Sequence, residues 1–319
     1  MHDQWQRKRA IIAELSRGGF ISGEVLATNL GISRAAVSKH IASLEEFGVD
    51  VFSVKGKGYK LATPLSLIDE KVLKSALSSR CFYFDDIPST NAFLLGHVNE
   101  LTSGDLCVAE HQSAGRGRRG RTWVSPYGGH LYASLYWQFS QGMAQAMGLS
   151  LVVACSLVTV LRNMGVAGVG VKWPNDIYLN HKKLAGVLIE MSGQADSVCD
   201  VVIGIGVNMS MSEQQSQKID QPWSDLSELA QMPDKTMLMI KLQQQLVKDL
   251  EQFEVDGLKA FKQRWRNVDL FDGQPIKLLM GDNIVEGTCC GIDDQGAVLL
   301  QNEQGIQAYV GGEISLRAQ

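Results

Sequence analysis

No C-x-x-C pair and no H-E-x-x-H spacing occurs in the chain. Its six cysteines sit mostly in apolar stretches, which excludes a disulfide framework and a zinc ribbon. Reduced thiols in a cytoplasmic protein are expected, with no metal site built from protein ligands. No basic segment followed by an apolar run opens the sequence, so no secretory signal is read there. Between Arg121 and Arg162 there is no Lys, Arg, Asp or Glu, yet Pro126, Gly128-Gly129, Gln138, Gln141 and Gln145 interrupt that stretch. It therefore predicts a buried strand followed by a buried helix, not a membrane span. Internal repeats with periods of roughly 20–50 residues are absent, which excludes solenoids and propellers.

What is present is an ordinary globular composition over 319 residues, enough for two or three domains. Charge is uneven. Residues 1–63 hold nine Lys/Arg and six Asp/Glu, a net of +3, and the rest hold 21 and 28, a net of −7. A basic end on an acidic body suggests that one domain meets a polyanion.

That basic end reads as three helices and a hairpin. Residues 5–17 carry Ile11, Ile12 and Leu15 on one face, and Gly18-Gly19 stops them. Ser22 can cap a second helix with Val25, Leu26 and Leu30 inward. After Gly31, Ser33 can cap a third over residues 34–47, with Val37, Ile41 and Leu44 inward and Arg34, Ser38 and Lys39 outside. A hairpin follows whose turn is Lys55-Gly56-Lys57-Gly58. Cap, turn and wing together predict a winged helix-turn-helix contacting DNA through Ser33, Arg34, Ser38, Lys39, Lys55 and Lys57. A small helical protein-interaction domain is the alternative.

Pro64 marks a boundary. The middle region mixes β-branched runs with long helices and predicts an α/β or α+β domain with a mixed sheet. Residues 146–161 predict a helix buried nearly all round, 198–207 a continuous apolar strand, 236–253 an amphipathic helix and 258–265 a shorter one. From about Phe271 short strands alternate with turns at Gly281-Asp282-Asn283, at 293–296 and at 302–305, predicting a small β-barrel of about fifty residues.

The most informative stretch is Gly115-Arg116-Gly117-Arg118-Arg119-Gly120-Arg121, four guanidinium groups on a glycine-rich loop. Arginine forks suit carboxylate and phosphate, and glycine lets backbone N–H groups approach an anion. Such a loop can clamp a triphosphate and a carboxylate together, or touch nucleic acid as a flexible basic segment. Ser89-Thr90-Asn91, after Pro88, gathers three polar side chains at a helix start, either to bind a polar ligand or to cap. Gln112 can donate and accept, as an amide or urea requires. Lys172-Trp173-Pro174-Asn175-Asp176 is either a turn or a site where Asp176 meets Mg²⁺ carried on a nucleotide. Lys183 opens an apolar strand and so sits at a sheet rim, where an ammonium can reach an acyl phosphate or simply be solvated. Gly204-Ile205-Gly206 lacks a following helix, so the dinucleotide fingerprint fails. Residues 211–221 form either an ordering loop or a connector, with Trp223 available as a platform for a base. No side-chain nucleophile stands out.

In this order, Ser-Thr-Asn, the arginine loop, Lys-Trp-Pro-Asn-Asp and Lys183-Leu184-Ala185-Gly186-Val187-Leu188 resemble the biotin protein ligases. With the N-terminal helix-turn-helix, the resemblance extends over the whole chain to the bifunctional members that are also biotin operon repressors. The resemblance implies three domains: a winged helix-turn-helix at 1–63, a catalytic domain at 64–270 and an SH3-like β-barrel at 271–319. It implies formation of biotinyl-5′-AMP from biotin and ATP with Mg²⁺, then transfer of biotin to a lysine of the biotin carboxyl carrier protein of acetyl-CoA carboxylase. Ser89, Thr90, Asn91, Gln112 and Gly186 would meet biotin. Arg116, Gly117 and Arg118 would cover its carboxylate and the phosphates, and Lys183 would stabilise charge as the adenylate forms. Asn175 and Asp176 would lie on the nucleotide side, with Asn208 and Trp223 near the adenine. A homodimer that binds operator DNA when adenylate-bound is also implied. His130 departs from the family, which usually has Asn there, and residues 211–221 match it poorly. A monofunctional ligase with a vestigial DNA-binding domain, a non-catalytic sensor and a lipoate ligase are the competing readings.

Overall fold

The computed structural model describes residues 2–63, 65–193, 198–217, 219–280, 283–310 and 314–318. The boundary expected at Pro64 and the turn residues Gly281-Asp282 lie outside the described residues.

The N-terminal helices are α1 (His2–Ser16), α2 (Gly23–Leu30) and α3 (Arg34–Ala42). Ser22 and Ser33 cap the last two as expected: their hydroxyls accept the N–H of Val25 and Ala36 at 3.1 Å. Gly31 ends α2 in the left-handed region at φ +62°, a conformation cheap for glycine, and so makes the turn. α3 ends earlier than the expected residue 47. A separate 3-10 turn, Glu45–Phe47, then carries the chain to the hairpin of β1 (Val51–Val54) and β2 (Gly58–Leu61). Ile11, Ile12, Leu15, Leu26, Val37, Ile41 and Leu44 form the buried core. Val25 does not join them and is 48 % exposed; the inner stripe of α2 runs through Leu26 and Ala27, and Val25 lies off it.

After α4 (Glu70–Ala76) comes a seven-stranded sheet. Its members are β3 (Cys81–Phe84), β4 (Leu106–Ala109), β5 (His130–Phe139), β6 (Val169–Lys172), β7 (Asp176–Leu179), β8 (Lys182–Gly193) and β9 (Cys199–Asn208), in the order β3-β4-β5-β9-β8-β7-β6. Neighbours β3 and β4 run parallel and the other neighbours antiparallel, which makes the sheet mixed. Alternation along the strands assigns the two faces. Leu131, Ala133 and Leu135 pack into the large core beneath α6 (Leu149–Asn163) and α8 (Lys235–Asp256). Cys107, Tyr136 and Val202 face the other way, with Leu94 of α5 (Thr90–Leu95). α6 is long and apolar enough, with the turn before it, to resemble a membrane span, but it lies inside this core, as its all-round apolar pattern predicted. A short α7 (Glu213–Ser216) follows β9, and α9 (Lys262–Arg266) follows a 3-10 turn.

The last strands are β10 (Pro275–Met280), β11 (Asn283–Ile292), β12 (Val298–Asn302), β13 (Gly305–Tyr309) and β14 (Ile314–Ala318). Over the stretch expected to form a small β-barrel, they make a five-stranded antiparallel sheet in the order β13-β12-β11-β10-β14. The Asp293 carboxylate accepts the N–H groups of Gln295 and Ala297, so Asp293-Asp294 forms a turn, as its sequence suggested.

The helix-turn-helix is pinned to the central sheet by charge. Glu110, at the end of β4, is wholly buried; it accepts from Lys235 Nζ at 2.6 Å, Ile68 N at 2.7 Å and Tyr83 Oη at 3.1 Å. Arg9 of α1 binds Asp85 at 3.1 Å and the Ile68 carbonyl at 3.0 Å. Trp5 stacks on Tyr127, with ring centroids 4.9 Å apart and planes 8° apart. Burial pulls the Lys235 ammonium below its usual range; Glu110 opposes that shift by attraction.

Candidate active site

A cleft of about 180 Å³ opens on the α5 face of the sheet. Glycine makes its floor. Gly186 of β8 lies opposite Gly206 of β9, and Leu188 opposite Gly204. A Cβ on Gly204 would stand 2.4 Å from Asn91 Oδ1, and one on Gly206 2.6 Å from the Trp123 ring. These glycines are therefore mid-strand spacers that let side chains lie flat on the sheet. That is why Gly-x-Gly here belongs to no phosphate loop.

One wall is polar and uncharged. Ser89 caps α5 through the N–H of Ala92, so one polar group of the Ser-Thr-Asn cluster is committed to capping. Gln112 Oε1 accepts from the Thr90 N–H at 2.9 Å and from its hydroxyl at 3.1 Å. Ser134 of β5 donates to Asn91 Oδ1 at 2.5 Å. Asn91 Nδ2 in turn donates to Glu190 at 2.8 Å. Ser89, Thr90 and Asn91 are each about 95 % buried, so they form a fixed array of donors and acceptors.

The opposite wall is cationic. Lys183 Nζ lies 2.9 Å from Asp176 Oδ1 and 5.6 Å from the centre of the Trp123 ring. A bulge in the pairing of β7 with β8 brings both ends of this ion pair to the rim, Asp176 opposite Gly186 and Lys183 opposite Tyr178. The arginine loop folds back on itself: the Gly117 N–H donates to the Arg121 carbonyl at 2.7 Å and the Trp123 N–H to that of Gly115 at 2.9 Å. Gly115 has no room for a side chain, since a Cβ would meet Ser125 Oγ at 2.5 Å and the Trp123 carbonyl at 2.6 Å. So folded, the loop sends Arg118 to Asn175 Oδ1 at 3.0 Å and Arg116 to Glu190 at 3.0 Å. Burial, reinforced by Arg119, lowers the Arg118 pKa, and Asp176 opposes that. A half-buried guanidinium beside other cations gains most from an arriving anion.

The cleft thus brings together Ser89, Thr90, Asn91, Gln112, Arg116, Gly117, Arg118, Asn175, Asp176, Lys183 and Gly186. It does not line itself with Asn208 or Trp223. The Asn208 amide turns away and donates to the carbonyls of Ser224 at 3.0 Å and Lys183 at 3.4 Å. Trp223 bridges to Lys183 in the backbone, edging the strand beside the cleft. Both residues brace the Lys183 backbone. His130 is also off the cleft: fully buried beside β9, it accepts the Met209 N–H at 3.2 Å. Desolvation, then Lys235, push its pKa down to about 3. Trp123 and Ser134 line or brace the site and were not singled out from the sequence; a tryptophan two residues past an arginine-rich loop is the one signal that pointed there.

The bifunctional ligase/repressor BirA of Salmonella typhimurium is 48 % identical over 309 residues, covering 97 % of each chain. The chain belongs to the biotin protein ligase family. Within it, residues 82–208 match the Biotin/lipoate A/B protein ligase family, residues 7–60 an HTH domain and residues 273–317 the Biotin protein ligase C terminal domain. BirA of Escherichia coli is 46 % identical over 97 % of this chain and 96 % of its own. Among solved structures, biotin protein ligase from Aquifex aeolicus in complex with biotin and ATP matches at a TM-score of 0.64 and 28 % identity, over 75 % of this chain and 99 % of that one.

On the N-terminal domain of this ligase chain, Arg34, Ser38 and Lys39 are exposed along α3, and Lys55 and Lys57 at the wing turn. The Ser33 hydroxyl is occupied as the cap of α3.

Proposed function

We propose that the protein joins biotin to ATP as biotinyl-5′-AMP, passes the biotin to a lysine of a biotin carboxyl carrier protein, and represses transcription as an adenylate-bound dimer on operator DNA. The observation that carries the catalytic reading is the convergence of Lys183, Arg116 and Arg118 on one cleft beside an uncharged polar wall. The bicyclic urea of biotin suits that wall, where Thr90, Asn91 and Gln112 present both donors and acceptors.

Two anions must meet for a carboxylate oxygen to attack the α-phosphorus and expel pyrophosphate. Their repulsion is offset by fixed cations. Lys183 is placed to take the biotin carboxylate as Asp176 gives way, while Arg116 and Arg118 span carboxylate and phosphate. Asn175 and Asp176 occupy the nucleotide side, and we place the adenine toward residues 208–223. Mg²⁺ carried in on ATP would neutralise phosphate charge. One carboxylate lining the cleft, Asp176, fits an ion that keeps phosphate and water ligands. In the second half-reaction the carrier lysine attacks the acyl carbon and AMP leaves. The closed arginine loop keeps water from the mixed anhydride until then.

For the N-terminal domain, the exposed basic residues of α3 and the wing support operator contact, and dimer binding requires two half-sites related by two-fold symmetry. If adenylate favours the dimer and carrier protein competes for it, the ligand shifts a population between two partners. We divide the chain at 63/64 and 270/271, where the HTH hairpin and the terminal sheet adjoin the central sheet. The free thiols of all six cysteines support a cytoplasmic location.

The test is pyrophosphate release that requires both biotin and ATP with Mg²⁺, followed by label transfer to a carrier domain. Release with ATP alone, or none with both, would refute the reading.

A further inference from the structure

Glu190 is not among the cleft-lining residues, yet it touches both walls. One of its oxygens, Oε2, accepts from Asn91 Nδ2 at 2.8 Å and from Arg116 Nη2 at 3.0 Å. Asn91 belongs to the polar wall and is 4 % exposed; its Oδ1 is held by Ser134 and it lies against Gly204, so Glu190 completes a rigid seat. Arg116 belongs to the arginine loop, and its side chain is about half exposed, against a quarter for Glu190. Another bond from the loop across the site runs from Arg118 to Asn175, a neutral partner. At Arg116 the partner is a carboxylate, so there the loop is held by charge.

We propose that Glu190 is a positioning residue that links the biotin seat to closure of the arginine loop. Its charge tethers Arg116 over the cleft, and its oxygen aims Asn91 at the biotin ring system. Both tasks fall on a single oxygen atom, so they can be separated by chemistry. Glu190→Gln keeps an acceptor for Asn91 and removes the charge that Arg116 meets. Glu190→Ala removes both. An exposed ion pair is weak and salt-sensitive, so the tether contributes modestly, and the guanidinium N–H groups of Arg116 that do not meet Glu190 stay available to a ligand carboxylate or phosphate.

This inference rests on the biotin ligase reading, and the experiment separates the two. Biotin affinity is measured without ATP, and the dissociation rate of preformed biotinyl-5′-AMP is measured at low and high salt, for wild type, Glu190→Gln and Glu190→Ala. In Glu190→Gln, biotin affinity should stay within about twofold while adenylate leaves roughly three- to tenfold faster, an excess that high salt abolishes. In Glu190→Ala, biotin affinity should also fall, by about fivefold or more, as for a lost hydrogen bond to a charged group. Wild-type values in both variants would overturn the role of Glu190, as would equal losses in both that track a lowered melting temperature. Failure of the wild type itself to bind biotin would instead overturn the ligase reading.

Discussion

Two clusters of charge in this molecule are built in opposite ways. At the junction of the N-terminal and central domains, Glu110 and Lys235 are both wholly buried, 2.6 Å apart, and the carboxylate has further donors in Ile68 and Tyr83. In the cleft, Lys183 and Asp176 are 15 % and 22 % exposed, and the pair at its edge, Arg116 and Glu190, more so. The junction has no room to exchange partners, whereas the cleft pairs open onto a cavity. Full burial makes a charge pair structural, because neither member can be solvated alone. Partial burial leaves the pair able to exchange its partner for a ligand. The cations that perform chemistry should therefore be those whose partners are replaceable.

That contrast is broken most severely at the junction. Lys235→Ala should cost about 3–5 kcal/mol of stability by stranding Glu110 in the core. Activity per folded molecule should be unchanged, so denaturant unfolding beside active-site titration checks both halves. In the cleft the pattern should invert. Lys183→Ala should lower the rate of adenylate formation by about 10²–10³-fold, the scale for losing one preorganised stabiliser of developing charge. Its unfolding midpoint should stay near wild type, and pyrophosphate release decides the rate. Arg118→Gly should speed adenylate escape by roughly 10-fold or more, as for one charge-assisted hydrogen bond; a filter-retention chase measures it, and wild-type retention would remove the clamp. Arg34→Ala should weaken operator binding by about 1–3 kcal/mol without altering ligation, as a gel-shift titration beside the ligation assay would record.

The smallest effect at neutral pH belongs to His130, buried and neutral. Its pKa is about 3 in the folded chain, against an ordinary 6.5. Between those values the unfolded chain binds a proton that the folded one refuses. Stability is therefore retained above about 6.5 and lost progressively as pH falls toward 3. His130→Asn should remove that share of the acid sensitivity while changing little at neutral pH. Melting temperatures from about pH 4 to about pH 7.5 would show the difference, and parallel curves for the two proteins would contradict it.

Much of this was legible in advance, for identifiable reasons. Ser22, Gly31 and Ser33 act through their own neighbours in sequence, so caps and turn could be read locally. α6 showed itself by being apolar on every side. Lys183 stood out because an ammonium that opens an apolar strand must find water or an anion at the sheet rim. What could not be read depends on pairing between distant segments. Glu190 gains its meaning only when β8 lies beside β9 and brings it under Asn91, 99 residues earlier. Gly204 and Gly206 were set aside as a nucleotide fingerprint for want of a following helix, but what they do make room for stayed hidden, because glycine reports a tight approach without saying of what. Asn208 and Trp223, expected beside the adenine, make contacts with the Lys183 backbone that only the folded chain reveals.

The cleft's central task is to join a biotin carboxylate oxygen to the α-phosphorus of ATP. Biotin labelled with ¹⁸O in its carboxylate tests this directly when turned over with ATP, Mg²⁺ and a carrier domain. The bridging oxygen of the adenylate should leave with phosphorus, so each AMP should carry one labelled atom when the biotin is fully labelled. Biotinylated carrier formed alongside unlabelled AMP would contradict it.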